Sequence, residues 1–513
     1  MPKLAHAASF HVKLTQRRSF LIMVLSILTL SGCNFPLKVL WYTPRPTLDP
    51  AIFETHATPQ FSQQTPENPT LPSGQEIFPY DPNVSISYIS QSGDTLTAVA
   101  KHFGVTPDQI TSPQSLPQTG LLPPGQQLIL PRGQDPVPFA DVLMPDSAVI
   151  NSSCGREFDI SAAIAQRGGY LDRYTQVVDD RTLTGAEVVK QVAENTSVNP
   201  MFLLALIEFR SGWVTTTPAT LDLVHPLSLN TPHYEELYLE LSLAAKLLNT
   251  GYYAWRQGQM TELVFAGRGS TRIAPNLNAG SVGLEYLFSQ LFSQDTYNTA
   301  LFGSQGFLQT YRNLFGDPFA CASKVEPQFT ADTQPPALEL PFAPGEPWAL
   351  TGGLHVDWNS GTPWGALDFA PITGEPPCVV SRAWVTASAS GVVTRAESGA
   401  LQLALTDQNQ QFTGWEILYM HVAAQDRAAV GTIIHIDDRI GHPSCEGGAA
   451  TGTHVHIARM YKGEWIGAGD PFPYVLSGWE ALPGDRQFQS TLVKNGQVVS
   501  SRIDGTGTAR IVR

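Results

Sequence analysis

An apolar run over residues 20–30 follows Lys13, Arg17 and Arg18 at the N-terminus. It is too short to cross a hydrocarbon core and matches the apolar region of a secretory signal peptide. From residue 34 to 84 apolar periodicity disappears and prolines recur, which predicts a semi-extended tether. Ordered patterning begins near Ile86. An alternating stretch there leads to Leu96, Val99, Ala100 and Phe103 at helical spacing, Gly104 as a stop and Thr106-Pro107 as the start of a second helix. Leu128-Ile129-Leu130 closes the segment as a strand, giving β-α-α-β over residues 85–132. Residues 150–325 carry helical periodicity instead, clearest after Thr184 and across Asn199-Pro200-Met201-Phe202-Leu203-Leu204, so a mainly α-helical middle domain is expected. A second proline-rich linker follows at residues 326–347. Beyond it, short stretches such as Gly391-Val392-Val393, Leu401-Gln402-Leu403 and Ile417-Leu418-Tyr419 predict a mainly antiparallel β domain over residues 348–480 and a β extension over residues 481–513.

Composition narrows this multidomain picture. Hydrophobic residues at 42% and charged residues at 15% suit folded domains, while 40 prolines suit the linkers between them. A net charge of −14 opposes binding to phosphate backbones, so nucleic acid is excluded as a partner. The five cysteines form an odd set. Leu30-Ser31-Gly32-Cys33 resembles the bacterial lipobox, which implies a signal peptide over residues 1–33, a lipid on Cys33 and a membrane-anchored lipoprotein of the cell envelope. The other four group as Cys154 with Cys321 and Cys378 with Cys445, and two disulfides fit an exported chain. Cys378 and Cys445 remain alternatives as metal ligands.

The segment with Gly93-Asp94-Thr95-Leu96 and Phe103-Gly104-Val105-Thr106 resembles the LysM module, which binds peptidoglycan glycan in a groove between its loops. The resemblance makes Gly93, Asp94, Thr95 and Leu96 candidate glycan contacts, although Asp94 and Thr95 serve equally as helix caps. In the middle domain, the string from Ser197 to Trp213 resembles the catalytic-helix region of lysozyme-like transglycosylases. That family places a glutamate directly before the serine; Arg210 stands there, and an arginine cannot donate a proton. The resemblance therefore implies a degenerate domain unless Glu208 acts instead.

Six of the twelve histidines lie after residue 350. His454 and His456 are two apart on an expected strand and so share a face, the arrangement convergent metal ligation needs. Leu367-Asp368-Phe369, Tyr419-Met420-His421 and Gly452-Thr453-His454-Val455-His456 together resemble the lysostaphin/LytM-like zinc peptidases. The resemblance implies Asp368 and His456 as zinc ligands and His421 and His454 as catalytic residues beside the reacting water. The usual first ligand position, four residues before the aspartate, holds Trp364; His355 is the expected substitute, if the loop through Asn359, Gly361 and Pro363 folds back. His435 and His442 are expected on the surface. The reading is a peptidoglycan-directed zinc metalloendopeptidase; the alternative is a non-catalytic wall-binding scaffold or activator of other wall hydrolases.

Overall fold

The computed structural model describes residues 85–131, 139–267 and 269–513. The expected signal peptide, Cys33 and the tether over residues 34–84 lie outside these. The first domain pairs β1 (Ser85–Ile89) with β2 (Gln127–Pro131) antiparallel, and α1 (Leu96–Phe103) lies between them in sequence. Thr95 caps α1 by accepting from Ala98 N at 3.2 Å, and Gly104 ends it at φ 67°, a left-handed conformation that costs glycine little. The second helix expected here is only a 3-10 turn, Pro107–Gln109. Ile110 must enter the core and Thr111 pairs with Ile129, so the chain turns extended at once. Leu96, Val99, Leu128 and Leu130 fill that core.

The middle domain is helical as expected. Thr184 and Glu187 form a reciprocal capping box for α2 (Gly185–Thr196), and Asn199 caps α3 (Pro200–Ser211), whose first residue is proline. The longest helix, α4 (Glu236–Arg256), packs along α5 (Ala279–Leu291). Gly251 permits the approach, since a Cβ there would lie 2.4 Å from that of Tyr286. Cys154 and Cys321 are bonded, tying the start of the domain to its last helix.

The third domain is built on a nine-stranded antiparallel sheet. Its strands are β3 (Pro347–Val356), β4 (Trp364–Pro371), β5 (Gly391–Glu397), β6 (Ala400–Thr406), β7 (Phe412–Met420), β8 (Ile433–Ile434), β9 (Val455–Tyr461) and β10 (Arg510–Val512). They run in the order β8-β5-β6-β7-β9-β4-β3-β10, and Glu464–Trp465 pairs with β9 as the ninth. A separate four-stranded sheet spans the region from Val475–Leu476 to Gln497–Ser500. Residues 326–347, expected as a linker, contribute Phe329, Leu338, Leu340 and Phe342 to the core of this domain. The last three alternate along the chain, so an extended segment buries all of them on one side.

The three domains are in contact. The His102 ring of α1 stacks on Trp255 of α4 with centroids 3.5 Å apart. The Arg256 guanidinium donates to Asp146 at 2.7 Å, to Glu464 at 2.9 Å and to the carbonyl of Ser92, joining all three domains at one buried charge.

Candidate metal centre

Strand register explains the convergence of side chains at the centre of the sheet. His456 on β9 lies opposite Asp368 on β4 and Met420 on β7, while His355 on β3 lies opposite Ala366 on β4. A neighbouring strand therefore delivers the imidazole that the position of Trp364 lacks. The ligand atoms of His355, Asp368 and His456 all lie within 4.8 Å of one another, and all three residues are buried. His355 Nε2 approaches His456 Nδ1 at 3.0 Å and Asp368 Oδ1 at 3.4 Å; His456 Nδ1 lies 3.2 Å from the same oxygen. His454 Nε2 lies 3.8 Å from it, and the His421 ring stands 4.4 Å from that of His454.

Backbone carbonyls fix which nitrogens face inward. His355 Nδ1 contacts Gly353 O at 2.8 Å, His456 Nε2 contacts Asp357 O at 2.8 Å, His454 Nδ1 contacts Gly452 O at 2.7 Å and His421 Nδ1 contacts Glu446 O at 3.1 Å. A carbonyl only accepts, so each outer nitrogen carries its proton and each neutral ring keeps a lone pair on the inner one. Lone pairs of His355 Nε2, His456 Nδ1 and the Asp368 carboxylate thus meet with no donor between them. Such an arrangement is repulsive until a cation sits among them, and two imidazoles with one carboxylate are a donor set that suits zinc.

Electrostatics follow from the same packing. Burial pushes the Asp368 carboxyl up, but the surrounding rings, His355 foremost, outweigh it and hold the group below the usual carboxylate range. Burial lowers His355, against the pull of Asp368. His421 is lowered to about 3, by burial first and then by His454 and His456, so its ring is uncharged at neutral pH. Its backbone is left-handed at φ 63°, unusual for a residue with a side chain, and Ser444 pins it by donating from N and Oγ to His421 O.

Other expected residues are placed differently. Cys378 and Cys445 are bonded to each other and are not ligands. His435 is exposed, but His442 is buried, packed at a tilt against Trp384 and bonded to Ala383 O at 2.8 Å. Of the four expected glycan contacts, Asp94 and Leu96 face inward. Asp94 accepts from Tyr88 Oη and Gln91 N, both at 2.7 Å, and burial raises its carboxyl to about 6; Leu96 is core. Gly93 and Thr95 do line a cleft. In the middle domain Glu208 accepts from Val214 N and Thr215 N at 3.0 Å each, and Arg210 donates to Leu227 O at 2.7 Å. Both side chains are engaged by local loops, so neither is free to donate a proton to a glycan. The backbone carbonyls of Gly353, Asp357, Gly452 and Glu446 carry no sequence signal, since any residue supplies a carbonyl.

Residues 88–131 match the LysM domain, and residues 142–328 match the family described as LasA, N-terminal domain. Protease LasA of Pseudomonas aeruginosa (strain UCBPP-PA14) is 24% identical over 357 residues, covering 65% of this chain and 77% of LasA. Among solved structures, the M23 metalloprotease pseudoalterin is 23% identical, with a TM-score of 0.28 over 33% of this chain and 96% of its own. The catalytic domain of lysostaphin from Staphylococcus simulans is 22% identical, with a TM-score of 0.18 over 25% of this chain and 88% of its own. The chain thus has one segment that matches the LysM domain and one that matches the LasA N-terminal domain, both ahead of its antiparallel-sheet domain.

Proposed function

We propose that the protein is a zinc metalloendopeptidase directed at peptidoglycan, cutting stem or cross-link peptides, exported to the cell envelope and anchored through lipid on Cys33. The convergence of His355 Nε2, His456 Nδ1 and Asp368 Oδ1, each ring locked from behind by a carbonyl, is the observation that carries this reading. Similarity to Protease LasA supports peptide hydrolysis, and the LysM domain supports the wall as its location. No helix among the described residues is long and apolar enough to cross a membrane.

Bound at these three residues, zinc supplies a Lewis acid that polarises the scissile carbonyl and acidifies water. His421 and His454 stand on the side of the cluster away from β3, and their inner nitrogens are the proton-handling groups. His421, kept neutral by its burial, accepts a proton from the attacking water and returns it to the departing amine as the C–N bond breaks, while His454 beside it stabilises charge on the tetrahedral oxygen. The Glu446 and Gly452 carbonyls orient both rings for these tasks.

Incubation with purified peptidoglycan, followed by muropeptide mass spectrometry, tests the reaction class. New peptide termini on intact disaccharides are expected. Products cut only in the glycan, or no products beside a wall-bound protein, would replace the peptidase by the scaffold reading.

A further inference from the structure

Trp364 holds no metal, and its place in the fold gives it another role. It lines a cavity of about 610 Å³ at the meeting of the three domains. Gly93, Thr97 and Leu121 of the first domain, Gln257 just after α4, and Trp364 with Asp470 of the third domain all line it. The volume is that of a small-ligand site, and domain junctions are where such sites form.

The lining defines the ligand chemistry. Three charged residues border the cavity, Arg256, Glu464 and Asp470. Arg256 and Glu464 neutralise one another at 2.9 Å, and Asp470 accepts from Gly120 N at 2.6 Å. No unpaired cation among the described lining residues invites an anion. What is offered is an indole, the threonine hydroxyl of Thr97 and the amide of Gln257. An apolar ring face beside hydroxyl and amide groups suits a neutral saccharide bearing N-acetyl groups.

The geometry points to a composite glycan site in which the helical and sheet domains complete the LysM groove, with Trp364 and Gln257 as binding residues. It rests on the wall-directed reading above for the choice of ligand. Trp364 and Asp368 lie on the same face of β4, four residues or about 13 Å apart, and Leu354, beside His355, also borders the cavity. A glycan held there presents a peptide branch toward the metal cluster.

The test is calorimetric titration of the full chain with N-acetylglucosamine hexamer, with and without chelator. Wild type binds equally in both, and Trp364→Ala weakens binding tenfold or more. Gln257→Ala, an exposed position that tolerates substitution, weakens it at least threefold and decides the matter should Trp364→Ala not fold. Wild-type binding that weakens strongly in 0.5 M salt, no wild-type binding, or variants within twofold of wild type overturn the composite site. Because binding is read without zinc, failure of the peptidase reading leaves this outcome separately legible.

Discussion

His421 concentrates several demands on one residue. Its left-handed backbone is held by Ser444, its Nδ1 by Glu446 O, and its ring stays neutral through burial. His421→Ala should lower kcat by about 10²- to 10⁴-fold, the usual worth of a positioned general base, while zinc content is retained. Loss of zinc along with activity would make it a ligand instead. Glu208 shows the opposite case, a residue that sequence alone leaves open as an acid. Its carboxylate accepts two backbone N–H groups, so Glu208→Ala should cost about 1–3 kcal/mol in urea unfolding and leave the products formed from peptidoglycan unchanged. Asp368, His454 and His456 were legible because alternation along a strand places them. His355 was legible only as the nearest imidazole, since its approach depends on the β3-β4 register and not on spacing. Trp364 was not legible as a cavity-lining residue, because that role arises from packing between distant segments.

At the scale of elements, caps written in the sequence proved decisive. Thr184 with Glu187 and Asn199 with Pro200 set the starts of α2 and α3. The second helix expected in the first domain and the proline-rich segment before β3 were harder to read: a capping signature covers a single 3-10 turn as well as a helix, and prolines mask the alternation of Leu338, Leu340 and Phe342. The Cys378–Cys445 disulfide bears on the site through its neighbours, since Ser444 and Glu446 flank Cys445 and hold His421. Replacing both cysteines by serine should therefore lower kcat more than it lowers zinc content. Equal loss of both would place the effect on the fold of the domain.

Across the whole molecule, domain contacts make stability depend on pH. His102, stacked on Trp255 and bonded to its carbonyl at 2.9 Å, is lowered by burial to about 4 from 6.5. The unfolded chain binds this proton more readily than the folded one. The stabilisation is complete above pH 6.5 and is lost as pH falls toward 4, at most on the order of 3 kcal/mol. Melting midpoints should fall across that window and fall less in His102→Phe; identical pH profiles would remove His102 as the cause. The central claim nevertheless stands on the cluster where β3, β4 and β9 meet. Metal analysis of the purified full chain tests it most directly. Wild type should hold near-stoichiometric zinc, and His355→Ala and Asp368→Ala should lose it while remaining folded. A wild-type chain that takes up no zinc, or a folded His355→Ala chain that keeps it, would contradict the account.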